Sequence, residues 1–430
     1  MQFYSEDYRS VLDLLEEGTN RSDPYAVRRA CAEFKRLVLH RNAVRHAMVE
    51  QGRLLPALVD IVADHVHHDH GAVLADCCYF LQRLISHTQP TELDIQSTIT
   101  EAGYLGLLTK GLTTHPHAQR LYTEVCRLVA VLCFDTVAAP HGSYGGCWAF
   151  RNYLPPVKER RHIRRGSRSR LRCHIRTGLR EWFHILATFS KVLRTFSESL
   201  RIAHCIFQAL FQLMTTEVAL LDDVVDTGML QQAVELLDSR TLMQEYRGIT
   251  SFTVHWHIVK FLEICIRDND SAKEAFCSCA GPAVVVHAMI RRRQESRHAE
   301  MIDPWALQYI SCMLLCRFAT AAGDPPVVDK TRAKQLVQSS AHQLALDILR
   351  SVGIARLVDA CDANRTNFWA AVEQAVRLLE LIAALEANRV PLTRLGASRQ
   401  VKLIYNNPDV ATNTGLLLLC ERAVANIEGT

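Results

Sequence analysis

A glycine recurs along this chain with an apolar residue or cysteine four places before it and an apolar residue five places after it. The copies are Gly52, Gly103, Gly228, Gly281, Gly353 and Gly396; Met48, Ile99, Val224, Cys277, Leu349 and Leu392 precede them, and Ala57, Leu108, Ala233, Val286, Val358 and Val401 follow. Glycine ends a helix in left-handed backbone at low cost, so each copy reads as a hinge after which a second helix starts at once and buries one face. A longer segment follows each unit, with apolar residues three and four apart. The series are Val73, Cys77, Phe80, Leu84; Leu121, Val125, Leu128, Leu132; Ile202, Ile206, Leu210, Leu213; Val254, Ile258, Phe261, Cys265; Trp305, Tyr309, Cys312, Cys316; and Val372, Val376, Leu379, Ala383. That period is helical. One such unit cannot bury its apolar face alone, so neighbouring units must stack.

Composition agrees with helices in series. The chain has 430 residues but only 19 Gly and 13 Pro, and it exceeds the roughly 250–300 residues at which single cores stop growing. No apolar run reaches the ~18 residues of a membrane span, and the first 17 residues carry Glu6, Asp7, Asp13, Glu16 and Glu17 where a targeting peptide needs basic groups. A cytoplasmic protein is the expectation, with association to the cytoskeleton as a variant of it. The 15 Cys are scattered through apolar helical patterns, as reduced thiols used as small hydrophobes are.

Short helix, glycine, middle helix, loop and long third helix is the order of an armadillo unit, and the chain resembles the armadillo repeat family. Its clearest copy runs over 42–87, with Asn42, Ala43 and Val44, then Gly52, then Leu54, Leu55, Pro56, Ala57, Leu58 and Val59, then the helix after Gly71. The resemblance implies an all-α fold, a right-handed armadillo/HEAT-like α-solenoid of about six or seven irregular repeats. The glycines are 51, 125, 53, 72 and 43 residues apart, against roughly 40–47 for such repeats, so the units carry insertions. The widest gap needs a further unit without its glycine, for which 181–217 supplies the helix pair.

Three stretches break the pattern, at 136–170, 291–303 and 322–334. The first is rich in Gly and Pro, and such a connection inside a folded region is functional or disordered. This gives N-terminal repeats over 1–135, an insertion over 136–170 and C-terminal repeats over 171–430. Ten basic residues and one acid lie in 158–180, among them Arg160, Arg161, Arg164, Arg165, Arg168 and Arg170; without the segment the chain has 39 basic and 44 acidic residues, against 49 and 45 with it. Two readings stand: a footprint for an acidic partner such as a microtubule surface, nucleic acid or anionic lipid, or a solvated loop. Ser167 and Ser169 lie among these arginines as candidate phosphorylation sites.

Motifs of enzyme chemistry are missing. The sequence holds no phosphate-cradling loop, nucleophile elbow, kinase set or helical HExxH, so no enzyme and no cofactor is expected. Asp64, His65, His67, His68, Asp69 and His70 crowd six possible ligands together, but between two helices of a repeat they read as solvated polar residues. The pairs Cys277/Cys279 and Cys312/Cys316 read as core packing, and Cys147 as the reactive thiol. Import adaptors of the armadillo family hold basic peptides with a Trp and an Asn four residues on; here Trp182, Trp256, Trp305 and Trp369 are followed by Leu186, Lys260, Tyr309 and Glu373. That array is absent; Trp148 precedes Asn152 correctly, but inside the insertion.

The function these features imply is a non-enzymatic protein-interaction scaffold or adaptor, holding a partner segment in the groove lined by third helices. The alternative is a cytoskeletal (microtubule or flagellar) or nucleic-acid-associated protein acting through 158–180. Helical spacing puts His255, Lys260, Glu263 and Gln308 off the apolar stripe, as exposed partner-binding candidates. Limited proteolysis is expected to cut first between residues 160 and 172 and to leave two fragments that elute together on gel filtration. Resistance there, with cutting elsewhere, refutes an external insertion.

Overall fold

The computed structural model describes residues 5–21, 23–38, 54–66, 70–85, 104–132, 179–216, 220–239, 251–295, 304–321, 327–352 and 362–429. These hold 20 α-helices and a single pair of two-residue strands. The chain forms two compact units, Met1–Asp223 and Val224–Thr430. The insertion at 136–170, with all six candidate arginines, Cys147, Ser167 and Ser169, lies outside the described residues, as do Gly52, Gly103 and Gly353.

Unit 1 is a series of helix pairs: α1 (Ser5–Arg21) with α2 (Pro24–Val38), α3 (Leu54–His65) with α4 (Gly71–Ile85), α5 (Tyr104–Thr114) with α6 (Gln119–Leu132), and α7 (Leu179–Thr195) with α8 (Leu200–Thr216). The last pair is the one that the sequence supplies for a repeat without a glycine. Helices α2, α4, α6 and α8 pack each on the next. Their apolar series is the core: Val73, Cys77, Phe80 and Leu84 of α4 and Ile202, Ile206, Leu210 and Leu213 of α8 are all buried.

Short α9 (Leu221–Asp226) spans the division between the units. Unit 2 then repeats one pattern. The helices are α10 (Met229–Asp238) and α11 (Ser251–Ile266); α12 (Asp270–Ser278), α13 (Gly281–Glu295) and α14 (Pro304–Phe318); α15 (Lys330–Gln338), α16 (Ala341–Arg350) and α17 (Asp362–Ala383); and α18 (Glu386–Arg394), α19 (Ala397–Tyr405) and α20 (Thr414–Glu428). The long third helices pack in order, α11 on α14, α14 on α17 and α17 on α20. Side-chain caps start α12, α15 and α20, where Asn269, Asp329 and Asn413 accept from Ala272, from Thr331 and Arg332, and from Leu416. Such caps are worth about 1 kcal/mol each. After α14, β1 (Thr320–Ala321) pairs antiparallel with β2 (Val327–Val328), and the buried Lys273 of α12 donates to the Thr320 carbonyl at 2.6 Å.

The hinges between first and second helices are left-handed, at Gly228 (φ 69°), Ala280 (φ 57°), Ser340 (φ 64°) and Gly396 (φ 74°). Two differ from the sequence reading. A further hinge is Ser340, between α15 and α16, where the sequence offers no glycine; the expected hinge at Gly353 lies outside the described residues. The second is Ala280, one residue before the expected Gly281. Gly281 is required for space: a Cβ there would stand 2.2 Å from the ring of Phe276, which is buried edge-on against Phe318 of α14. Two expected breaks are also shorter than the sequence suggests. Helix α13 continues through Arg291 to Glu295, with the Arg291 guanidinium donating to the Leu237 carbonyl at 3.2 Å, and α15 begins at Lys330.

Gly281→Ala is expected to cost about 1–3 kcal/mol, because the ring and its neighbours must shift. Ala280→Gly is expected to be neutral or stabilising by under about 1 kcal/mol, since relief of left-handed strain is offset by unfolded-chain entropy. Urea unfolding of the pair checks both; equal losses refute this hinge geometry.

Candidate interaction surface on the third helices

Acids on the third helices meet arginines on the next third helix. In unit 1, Asp76 of α4 pairs with Arg120 of α6 and, at 3.4 Å, with Arg28 of α2, and Glu124 of α6 lies 3.7 Å from Arg201 of α8. In unit 2, Glu263 of α11 pairs with Arg317 of α14, and Glu380 of α17 with Arg422 of α20 at 2.8 Å. The interface of α14 with α17 uses a different contact, in which the Cys316 thiol donates to the Gln374 carbonyl at 3.7 Å.

Glu124 and Glu263 are buried, and a carboxylate in such a place must be paired and hydrogen-bonded. Both are. Gln82 of α4 donates to Glu124 Oε2 at 3.0 Å and to its main-chain carbonyl at 2.7 Å, with Arg127 3.3 Å away. Glu263 receives Arg267 through Nη2 at 3.2 Å and Nε at 3.3 Å, and Lys260 at 3.4 Å. Three cations therefore share one carboxylate.

The expectation that His255, Lys260, Glu263 and Gln308 are exposed does not hold. His255, Glu263 and Gln308 are buried and Lys260 is half-buried; His255 Nδ1 faces Arg292 at 3.4 Å. Helix α11 packs against α10, α12 and α14, and α14 against α11, α13 and α17, so the polar edge beside the apolar stripe is covered too. Residues one step further round reach the surface. Trp256 of α11, Trp305 and Tyr309 of α14, and Trp369 and Glu373 of α17 are half-buried, and Phe368 joins Trp305 (4.8 Å between ring centres) to Trp369 (5.1 Å). Burial raises the Tyr309 pKa, and the carboxylates of Glu263 and Glu373 add to the rise, so the phenol lies within the field of both neighbouring helices.

The histidine-rich loop is described only in part. His65 is buried with Nδ1 3.0 Å from Nδ1 of His70, and His67, His68 and Asp69 lie outside the described residues. Among the described residues no group of three or more His, Cys, Asp or Glu is placed to hold a metal ion, and no helix is long and apolar enough to cross a membrane. Cys312 and Cys316 are buried as expected, whereas Cys277 and Cys279 are half-exposed. Burial pushes the thiols of Cys78, Cys126 and Cys265 upward and that of Cys312 to about 12. Burial also lowers His257 to about 4, and the ring bonds the Thr253 carbonyl at 2.8 Å.

No protein-family model matches the sequence, and no curated protein matches it. Solved structures do. A chain from work on a conserved phosphorylation switch controlling the interaction between cadherin and beta-catenin matches with a TM-score of 0.60 at 15% identity, covering 98% of this chain and 68% of that one. A designed armadillo repeat protein matches at 0.42 and 14% identity over 59% of this chain and 86% of its own. Another, in complex with the peptide (KR)4, matches at 0.45 and 13% over 75% and 99%. The first likeness carries the assignment: the fold is all-α and armadillo-like.

Glu263→Gln is expected to destabilise the protein by about 3–5 kcal/mol, because it strands three cations around a buried neutral group. Arg267→Gln removes an exposed partner and is expected to cost under about 1 kcal/mol. Thermal unfolding of both variants is the check; similar small losses mean that the cluster is solvated.

Proposed function

We propose that the protein is a non-enzymatic scaffold that holds a segment of a partner protein on its third helices, with the centre of the site on α11, α14 and α17. One observation supports this reading above others: half-buried Trp256, Trp305, Tyr309 and Trp369 and the half-buried charged groups Lys260, Arg317 and Glu373 all lie on three consecutively packed helices. Aromatic anchors set among polar groups are what peptide-binding surfaces are made of. In this reading Lys260 touches the partner, while His255, Glu263 and Gln308 hold the surface in place from beneath. The cadherin and beta-catenin interaction named for the similar structure is consistent with protein binding by this fold.

The second reading, a cytoskeletal or nucleic-acid-associated protein bound through 158–180, draws on the ten basic residues there. A quantitative pull-down from native extract separates the two. Trp256→Ala with Trp369→Ala is expected to lose the specific partners at least about tenfold, while neutralising Arg160, Arg161, Arg164, Arg165, Arg168 and Arg170 leaves them. The opposite pattern overturns the scaffold reading and supports the electrostatic one.

A further inference from the structure

We infer that Cys31 and Cys77 are an oxidative cross-linking site, whose disulfide ties the helix pair α1 and α2 covalently to α4.

Contacts one turn apart set the two thiols against each other. Helix α2 packs on α4. At one level Arg28 of α2 lies 3.4 Å from Asp76 of α4. Two turns further along α2 the rings of Phe34 and Phe80 stack, with centres 3.5 Å apart and planes within 15°. The partner numbers rise together, so the two helices run in the same direction. Cys31 lies three residues before Phe34, and Cys77 three before Phe80. One turn back from the stacked rings, on the same faces, the two cysteines therefore meet. Both are buried, and hydrogen bonding to the Cys77 thiol is the first of the causes that hold the Cys31 pKa well above its ordinary value. Cys78 is a poorer partner: it points about 100° further round α4 and feels Cys31 through charge alone. Ala30 and Cys31 are small, so at this turn the backbones can come as near as a disulfide requires, about 4.4–6.8 Å between Cα atoms.

The oxidant is a hydroperoxide, with hydrogen peroxide as the simplest case. Cys31 is 5% exposed and Cys77 0%, so Cys31 meets the oxidant first. Its thiolate attacks the O–O bond and becomes a sulfenic acid, and the hydroxide that leaves takes up the proton Cys31 gave away. The Cys77 sulfur then displaces the sulfenic hydroxyl, which departs as water with the Cys77 proton. Two thiols and one hydrogen peroxide give one disulfide and two waters, and two electrons pass from sulfur to oxygen.

The bond acts where the packing is thinnest. Among the described residues, the pair α1 and α2 meets the rest of unit 1 chiefly through α2 on α4 and α1 on α3. A pair held on one side separates more readily than helices packed on two. The disulfide closes residues 32–76 into a loop and so removes freedom from the separated state.

The test exposes the reduced full chain to hydrogen peroxide, blocks remaining thiols with N-ethylmaleimide and maps disulfides by mass spectrometry after digestion without reductant. The main link is expected between Cys31 and Cys77, told from Cys78 by fragmentation. Amide hydrogen exchange in α1 and α2 is expected to slow at least about tenfold on oxidation and to recover with dithiothreitol. Cys77→Ala is expected to abolish both effects and Cys78→Ala to leave both; if the variants do not fold, the map of the parent chain decides. A Cys31 left reduced or carried to sulfinic acid, a bond to Cys78 or Cys126 in place of Cys77, or exchange unchanged by the bond once formed each overturns the inference.

Discussion

The third helices are packed by their neighbours within each unit, α11 by α10, α12 and α14, and α14 by α11 and α17, and the rest of the structure follows from that burial. A helix in this position cannot present a simple amphipathic stripe. On α11, Val254, Ile258, Phe261 and Cys265 are buried, and so are His255, His257 and Glu263. Among the described residues of α11 only a narrow strip through Thr253, Trp256 and Lys260 reaches water, continued by Arg267 just past the end of the helix. Polar residues beside the stripe must then find partners within the stack, which is why Glu263 takes Arg317 from α14 and Glu124 takes Gln82 from α4 and Arg201 from α8.

Buried pairs of this kind contribute little net stability, because desolvation of both charges offsets their attraction. Their effect is on order. A third helix without an arginine opposite Glu263 would leave that buried carboxylate with Lys260 and Arg267 alone and its inter-helix side unmet, a loss larger than the net gain from the pair itself. The carboxylate thus discriminates among neighbours, in the way that a polar residue in a coiled coil fixes register. At the interface of α14 with α17, where Cys316 meets a main-chain carbonyl, apolar packing sets the fit.

Much of the fold is legible in the sequence because it depends on periodicity. The three- and four-residue spacing identifies the third helices, and Gly228 and Gly396 mark their hinges by backbone conformation. Ser340 and Ala280 escape such a reading, since a left-handed residue with a small side chain costs only about 1–2 kcal/mol and packing on both sides can impose it. Gly281 misleads in the opposite sense: it is a glycine because of the Phe276 ring, not because of its φ. The candidate site is less legible. Which of Trp256, Lys260 and Glu263 faces water depends on the neighbouring helices, and the pairing of Glu263 with Arg317 joins residues 54 positions apart with no motif between them. The tryptophans carry the one local signal, large amphipathic side chains on successive third helices.

The buried thiols give the stack an internal clock. Cys78, Cys126 and Cys205 lie on α4, α6 and α8, and Cys265, Cys312 and Cys420 on α11, α14 and α20. Burial holds each of them in the protonated, unreactive form, so a thiol reacts only when its own helix opens to solvent. Alkylation rates, resolved cysteine by cysteine, therefore read the opening of individual repeats in the native chain, with no introduced probe.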